Sequence, residues 1–138
     1  KSKVKTQKSK VKSQIKFYGW QDDLTKFYSQ ADCFLLTSSS EGWGLSAVEA
    51  ASFGLPIIMT DVGLAGEVIK NGESGLMIPV GNQQALKEAM IKLIEDECLR
   101  KKLGEGAKEA VKKLPTKEET LNLYQTSWQK SKILNLKS

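Results

Sequence analysis

The sequence predicts an α/β protein in which a parallel β-sheet is covered by helices on both faces. Short segments that are apolar almost throughout alternate with amphipathic segments along most of the chain. Strands that are apolar on both faces are typical of a buried parallel sheet. With 138 residues, of which 40% are hydrophobic, the chain can bury one core, so we expect a single domain.

Four strands are predicted from these apolar runs, at residues 15–19, 33–37, 57–60 and 76–78. The first ends at Gly19 and the last stops at Pro79, which cannot donate to a strand ladder. In a parallel sheet of this kind, ligands bind at the carboxyl ends of the strands.

Helices are predicted between and after the strands. Asp22 is the expected cap of the first, whose apolar positions recur at helical spacing, and Gly54 is the expected stop of the second. A capping box from Thr116 to Glu119 predicts the start of the last helix, which we expect to end near Lys132. The second helix is expected at residues 44–53, and two further helices are expected at residues 83–95 and 96–113. The apolar side chains of the last helix fit either a core helix or one that packs across domains: Leu121, Leu123, Tyr124 and Trp128.

The net charge of +5 comes from the start of the chain. Residues 1–16 hold seven lysines and no acidic residue, so the rest of the chain is slightly acidic. Residues 1–14 duplicate a short motif, KSKVKTQ and KSKVKSQ, and we expect a disordered lysine-rich arm, with weak attraction to anionic lipid or phosphate as the alternative. No aromatic residue lies in this arm and arginine is nearly absent, which argues against nucleic acid as a partner.

Several function classes are excluded or disfavoured by composition. The chain has no histidine, so it has neither an imidazole base nor a histidine metal ligand, and we expect no metal and no cofactor. Cys33 and Cys98 form no CxxC pair and are expected to be reduced thiols. No apolar run is long enough to span a bilayer and no apolar segment follows the basic residues at the start, so we expect no membrane span and no signal peptide. A cytoplasmic protein is therefore expected, with peripheral contact at the inner face of the membrane left open by the lysines.

The stretch SSSEGWGLSAVEAASFG, residues 38–54, carries the candidate site. Glu41 and Glu49 lie on either side of a turn that contains Gly42 and Gly44, directly before a predicted helix. A helix N-terminus presents free NH groups and a partial positive charge, so a phosphate is the expected ligand. A helical wheel puts Glu49 on the flank of the buried stripe, where the hydroxyl pair of a nucleotide ribose is a suitable partner. Glu41 is then expected on the far side of the phosphates.

Other interpretations of the same residues remain. The segment from Ser46 to Glu49 has the form of a capping box, Glu41 fits an acid that interacts with the helix dipole, and Trp43 fits a core residue. Residues 42–47 also match the G-x-G-x-x-A pattern of dinucleotide-binding folds, with Asp61 at the position of the ribose-binding acid. Against this NAD-type alternative, four residues separate Thr37 from the first glycine.

The segment EGWGLSAVE, from Glu41 to Glu49, resembles the E-x7-E signature of retaining glycosyltransferases with the GT-B fold, family 4, also called glycosyl transferases group 1. The flanking residues 17–90 are similar to the pattern of that family throughout, including Ala-Asp before the second strand, Gly-x-Pro, Glu-x-Ile and Asn-Gly-x-x-Gly-Leu. The resemblance implies a Rossmann-like sheet that is the second part of a GT-B donor-binding domain, spanning residues 15–138.

The resemblance also implies roles for these residues. In such enzymes the first glutamate, here Glu41, lies beside the donor sugar, and the second, here Glu49, binds the ribose. The turn between them offers backbone NH groups to sugar and diphosphate; here it consists of Gly42, Trp43, Gly44 and Leu45. The family transfers a sugar from a nucleotide-sugar, commonly a UDP- or GDP-linked hexose, to an acceptor with retention and without an obligatory metal.

This chain departs from the family pattern in two respects. The N-terminal acceptor domain and the first strand-helix-strand unit of the donor half, which bears an Arg and a Lys, have no counterpart here, so we expect a gap in the sheet and no activity of these residues alone. Leu64 stands where the family often has glycine. A degenerate nucleotide-binding or interaction module without catalysis is therefore the alternative function. The base, the sugar and the acceptor, whether glycan, lipid or small molecule, are left open by the sequence.

Overall fold

The structure, a computed structural model, describes residues 15–135, with side chains to residue 130. Within this range a three-stranded parallel sheet has the order β1-β2-β3 and the bounds Phe34–Leu36, Ile57–Thr60 and Gly75–Ile78. Five helices accompany it, with the bounds Thr25–Gln30 (α1), Leu45–Ser52 (α2), Gln83–Glu95 (α3), Glu97–Lys112 (α4) and Lys117–Asn135 (α5). The predicted α/β class and parallel sheet are confirmed.

The core has two layers because side chains alternate between the faces of the sheet. One layer packs Ile57 and Met59 of β2 against the alanines of α2, together with Tyr28 of α1. The other packs Ile58 against α3, with Leu93 and Leu103 fully covered. Helix α4 contributes to both layers. The sheet is therefore covered on both faces, as the apolar strands predict.

Side-chain caps fix the starts of three helices. The amide of Ala85 donates to Asn82 Oδ1 at the start of α3 (2.9 Å), and the amide of Leu99 donates to Asp96 Oδ1 at the start of α4 (2.8 Å). The capping box that precedes α5 is reciprocal: Glu119 Oε2 accepts from the amide of Thr116, and Thr116 Oγ1 accepts from the amide of Glu119. These bonds satisfy amides that have no partner inside the helix.

The predicted strand at residues 15–19 is wrong. The segment has no strand structure, and Phe17 is 95% exposed. A strand needs a hydrogen-bonded neighbour, and within residues 15–135 no strand lies beside this segment. Because this segment is not a strand, the gap that was expected between it and β1 stays a prediction.

The predicted cap of α1 is also wrong, because Leu24 precedes the helix and no side chain caps its start. Asp23 Oδ1 accepts from the amide of Thr25 at 2.8 Å, whereas Asp22 accepts from the indole Nε1 of Trp20 at 3.0 Å. Asp23 therefore holds the turn that leads into α1, and neither aspartate is the cap of the helix.

Helix α5 is not a core helix of the described unit. Up to residue 130, where the described side chains end, its large apolar side chains are more than half exposed: Leu121, Leu123, Tyr124 and Trp128. Within residues 15–135 no helix is both long and apolar enough to cross a lipid bilayer. The expected lysine-rich arm, residues 1–14, lies outside the described residues.

Candidate functional site

The bend formed by residues 42–45 lies where the sequence predicts it, beyond the carboxyl end of β1. Gly44 is the residue before α2 and adopts the left-handed conformation, with φ of 85° and ψ of 50°. A Cβ at this position would also lie 3.4 Å from Leu64 Cδ2. Glycine is therefore required here by the backbone and by the underlying core, whereas Gly42 is exposed and has open space beside it.

The start of α2 differs from the starts of α3, α4 and α5 because no side chain caps it. Within the part of the chain that the structure describes, the amides of Gly42, Trp43, Gly44 and Leu45 donate no hydrogen bond to a protein acceptor. Gly42 is exposed, Trp43 is 39% exposed and Leu45 is 69% exposed, whereas Gly44 is buried, so three of the four residues of the bend are open to solvent. Donors of this kind, together with the partial positive charge of the helix end, form an anion-binding surface.

A second loop, residues 61–66, supports the bend from below. The amide of Leu64 donates to Trp43 O at 3.1 Å, and the Leu64 side chain is 1% exposed. Gly63 has φ of 58°, and a Cβ there would lie 2.9 Å from Trp43 O and 3.1 Å from Glu41 Cβ. Leu64, which departs from the family pattern, thus fills the space under the bend as a core residue.

Glu41 is held by residues near the end of β1. Ser38 Oγ donates to Glu41 Oε1 at 2.6 Å, and Thr60 Oγ1 donates to Ser38 O at 2.7 Å. Thr60 is 2% exposed, so its hydroxyl is a buried anchor for the loop that carries Glu41. The carboxylate is partly buried and follows the strand end by only a few residues.

Glu49 is held by a different element. It lies on α2, is exposed, and its Oε2 accepts from Tyr28 Oη of α1 at 3.1 Å. Burial, with added contributions from the hydrogen bond and the charge of Glu49, raises the pKa of Tyr28 to about 12. The hydroxyl is therefore protonated and acts as a donor at neutral pH. The sequence predicts that Glu49 lies at the flank of the buried stripe of its helix. In the structure Glu49 is exposed, and the donor beside it, Tyr28, is buried.

Two simpler interpretations of the segment are wrong. Helix α2 begins at Leu45, so Ser46 lies inside it and makes no cap, and the Glu49 carboxylate bonds to Tyr28 instead of to the helix start. Trp43 is too exposed to be a core residue. The capping-box and core interpretations both assumed partners that the fold places elsewhere.

A cavity of about 440 Å³ opens beside Glu49. It lies between the start of α1 and the outer face of α2, and Glu41 is not among its lining residues. Its lining includes Asp22, Asp23, Tyr28, Glu49 and Ser52. Acidic side chains dominate its charge, which suits a hydroxyl-bearing group better than a phosphate.

The dinucleotide-binding alternative does not fit the strand end. That motif places its first glycine almost directly after the strand. Here β1 ends at Leu36, and residues 37–41 separate it from Gly42. Asp61 follows β2 and its amide donates to Ile78 O at 3.2 Å.

Sequence reasoning missed the residues that hold the two carboxylates: Ser38, Thr60 and Tyr28. A signal was available for Tyr28, since it lies on the apolar stripe of α1 and a buried tyrosine hydroxyl usually finds a partner. No local pattern identifies that partner, because Glu49 is 21 residues away.

Comparison with known proteins supports one family. The model of the family described as glycosyl transferases group 1 matches residues 1–110. The chain is 34% identical over 116 residues to N-acetyl-alpha-D-glucosaminyl L-malate synthase of Bacillus anthracis, covering 84% of this chain and 30% of that protein. It is 40% identical over 92 residues to an uncharacterized glycosyltransferase of Methanocaldococcus jannaschii, covering 67% of this chain and 26% of that protein.

Solved structures agree on the fold. Sucrose-phosphate synthase of Thermosynechococcus elongatus superposes with a TM-score of 0.79 at 28% identity, over 93% of this chain and 33% of that chain. HepE of Anabaena in complex with UDP superposes with a TM-score of 0.78 at 22% identity, over 93% of this chain and 36% of that chain. The chain thus spans about a third of the length of these relatives.

The family match covers more than half of the chain, and the structural neighbours are GT-B glycosyltransferases. This chain belongs to the glycosyl transferases group 1 family.

Proposed function

We propose that this chain is the nucleotide-sugar-binding part of a retaining, family 4 glycosyltransferase. The complete enzyme transfers a hexose-type sugar from a UDP- or GDP-sugar to a glycan, lipid or small-molecule acceptor. The observation that carries the proposal is the solvent-open bend at residues 42–45, whose amides have no protein acceptor within the described residues. Such amides at an uncapped helix start suit a diphosphate.

The charges of the site suggest how the donor lies. The diphosphate belongs on the bend, where the helix end is positive, and the nucleoside belongs in the acidic cavity beside Glu49. Glu49 then accepts from the ribose hydroxyls, and Glu41 on the other side of the bend contacts the donor sugar. Along the chain, Glu41, the bend and Glu49 then follow the order of sugar, diphosphate and ribose in a nucleotide-sugar.

The known ligands of structural neighbours support a uridine nucleotide as the first probe. Structures of Anabaena HepE contain UDP, UDP with glucose, and UDP-glucose. Those neighbours are under 25% identical to this chain, so they support the fold and suggest the ligand class without fixing the base or the sugar.

The catalytic contribution that we assign to the bend is electrostatic. As the bond from the sugar to the diphosphate breaks, negative charge develops on the leaving phosphate oxygen. Amides that already point at that oxygen stabilise the charge without reorganising. Glu41 faces the sugar in this arrangement, and no metal ion is needed. The acceptor domain and the diphosphate-neutralising Arg and Lys are expected in other parts of a longer enzyme, so we expect no turnover from these 138 residues alone.

Isothermal titration calorimetry of the 138-residue chain with UDP, GDP and their sugars tests the proposal. We expect saturable binding of one nucleotide class and a loss of about tenfold or more in affinity for Glu49→Ala, because a hydrogen bond to a charged group is removed. Glu105→Ala is the matched control, since Glu105 is an exposed glutamate on α4.

Two results would contradict the proposal. Absence of binding at millimolar nucleotide would favour the degenerate, non-binding module. Equal affinity of the Glu49→Ala variant and the Glu105→Ala control would remove the ribose role of Glu49. A circular dichroism spectrum of each variant establishes that a change in affinity is not a change in folding.

A further inference from the structure

The contact between Tyr28 and Glu49 joins two helices at the edge of the proposed nucleoside cavity. Glu49 lies on the exposed side of α2, where a glutamate side chain samples several rotamers and loses conformational entropy when a ligand fixes it. In this structure its Oε2 accepts from Tyr28 Oη at 3.1 Å. This hydrogen bond favours one position of the carboxylate.

The Tyr28 ring is itself fixed by aromatic neighbours. It is 7% exposed, its centroid lies 5.4 Å from that of Phe53, and it meets Phe34 edge-on at 6.1 Å. Phe53 is the C-terminal cap residue that follows α2, and Phe34 begins β1, so the ring is packed against the end of the helix that carries Glu49 and against the sheet. The hydroxyl position follows from core packing and not from a flexible surface side chain.

The second carboxylate oxygen is left for a ligand. Among the described residues no protein donor reaches Glu49 Oε1, and the cavity of about 440 Å³ lies against this side chain. An ionised carboxylate accepts about four hydrogen bonds, so the tyrosine occupies one site and leaves the others. Two adjacent hydroxyls of a ribose match the remaining capacity.

We propose that Tyr28 is a positioning residue that orients the Glu49 carboxylate toward the ribose hydroxyls and thereby sets the preference of the site for ribonucleotides. This inference rests on the proposed function and adds to it a residue that acts through Glu49. Removal of the tyrosine hydroxyl frees the Glu49 rotamers and lowers affinity only for ligands that carry the hydroxyl pair.

The test compares UDP and GDP with their 2′,3′-dideoxy counterparts by calorimetry on the 138-residue chain. Tyr28→Phe keeps the ring and its packing and removes only the hydroxyl. We expect the wild-type chain to prefer the ribonucleotide by about tenfold, and the preference to fall about threefold in Tyr28→Phe. In Glu49→Ala the preference disappears, and Tyr28→Phe has no further effect in that background.

Tyr124→Phe is the control, because Tyr124 is an exposed tyrosine on α5. A purely structural role of Tyr28 predicts equal weakening of the ribonucleotide and the dideoxynucleotide, and this result overturns the inference. Full ribose preference in Tyr28→Phe, with loss in Glu49→Ala, also overturns it but leaves the proposed function standing. Absence of nucleotide binding by the wild-type chain contradicts both.

Discussion

The carboxylates of Glu41 and Glu49 lie at the two ends of one short segment but are held by different parts of the molecule. Glu41 depends on its own strand end: Ser38 is three residues away, and the anchor Thr60 ends the adjacent strand. Glu49 depends on a single tyrosine from a helix 21 residues earlier in the chain. The support of Glu41 is part of the fold, whereas the support of Glu49 is one contact that can be removed without disturbing the sheet.

This difference predicts which substitutions change stability and which change ligand preference. Substitutions beneath the bend and the Glu41 loop are expected to lower the free energy of unfolding, because they alter buried backbone contacts. Substitutions of the polar contacts themselves are expected to change affinity with little effect on stability.

The largest effect is expected for Gly63→Ala, which acts on the Glu41 side. The new Cβ would lie 2.9 Å from Trp43 O at a positive φ, so the bend or the loop must shift. We expect a loss of about 3 kcal/mol in the free energy of unfolding, measured by urea denaturation. Gly66→Ala is the control, because Gly66 has φ of 81° but nothing within 4 Å. Its expected loss is about 1 kcal/mol, and equal losses in the two variants would show that the close approach has no energetic weight.

An intermediate effect is expected for Thr60→Val, which keeps the shape of a buried side chain and removes its hydroxyl. The carbonyl of Ser38 then loses its donor inside the protein. We expect a loss of about 1–2 kcal/mol in the free energy of unfolding. Thr126→Val on α5 removes an exposed hydroxyl bond and is expected to change stability by no more than about 0.5 kcal/mol. The anchor role is contradicted if the two variants have the same stability.

The smallest effect on stability is expected for Ser38→Ala, within about 0.5 kcal/mol. This substitution removes the donor to Glu41 Oε1, so the carboxylate proposed to contact the sugar loses its orientation. The affinity for UDP-glucose relative to UDP is expected to fall about threefold. If guanosine nucleotides bind more tightly, the same comparison is made between a GDP-sugar and GDP. Ser39→Ala, a neighbouring exposed serine, is the control. If Ser38→Ala keeps the full preference for the sugar-bearing nucleotide, the proposed contact between Glu41 and the sugar is contradicted.

The fold was predictable where the information is local. The bounds of β2 and α3 agree with those predicted, because an apolar run between a Pro-containing turn and a Gly-containing loop, and a helix opened by Asn82, are defined within a few residues. The strand predicted at residues 15–19 failed because its existence depends on neighbouring strands, which the segment itself does not encode.

For the site, too, only the local features were predictable from the sequence. The open bend before α2 follows from Gly42, Gly44 and the start of a helix, all of which are local features. The roles of Glu41 and Glu49 came from the family resemblance and stay predictions. The hydroxyls of Tyr28 and Thr60 could not be assigned from sequence, since each bonds to a group more than twenty residues away.

The central claim is that the amides of the bend bind the diphosphate. The most direct test is to titrate the 15N-labelled chain with UDP and GDP and to monitor its backbone amide resonances by NMR. The account predicts saturable shifts for Gly42, Trp43, Gly44 and Leu45, whose amides have no acceptor within the described residues, and none for Ala85 at the start of α3, whose amide already bonds to Asn82. Unchanged resonances at the bend while the nucleotide binds elsewhere, or equal shifts at both helix starts, would contradict it.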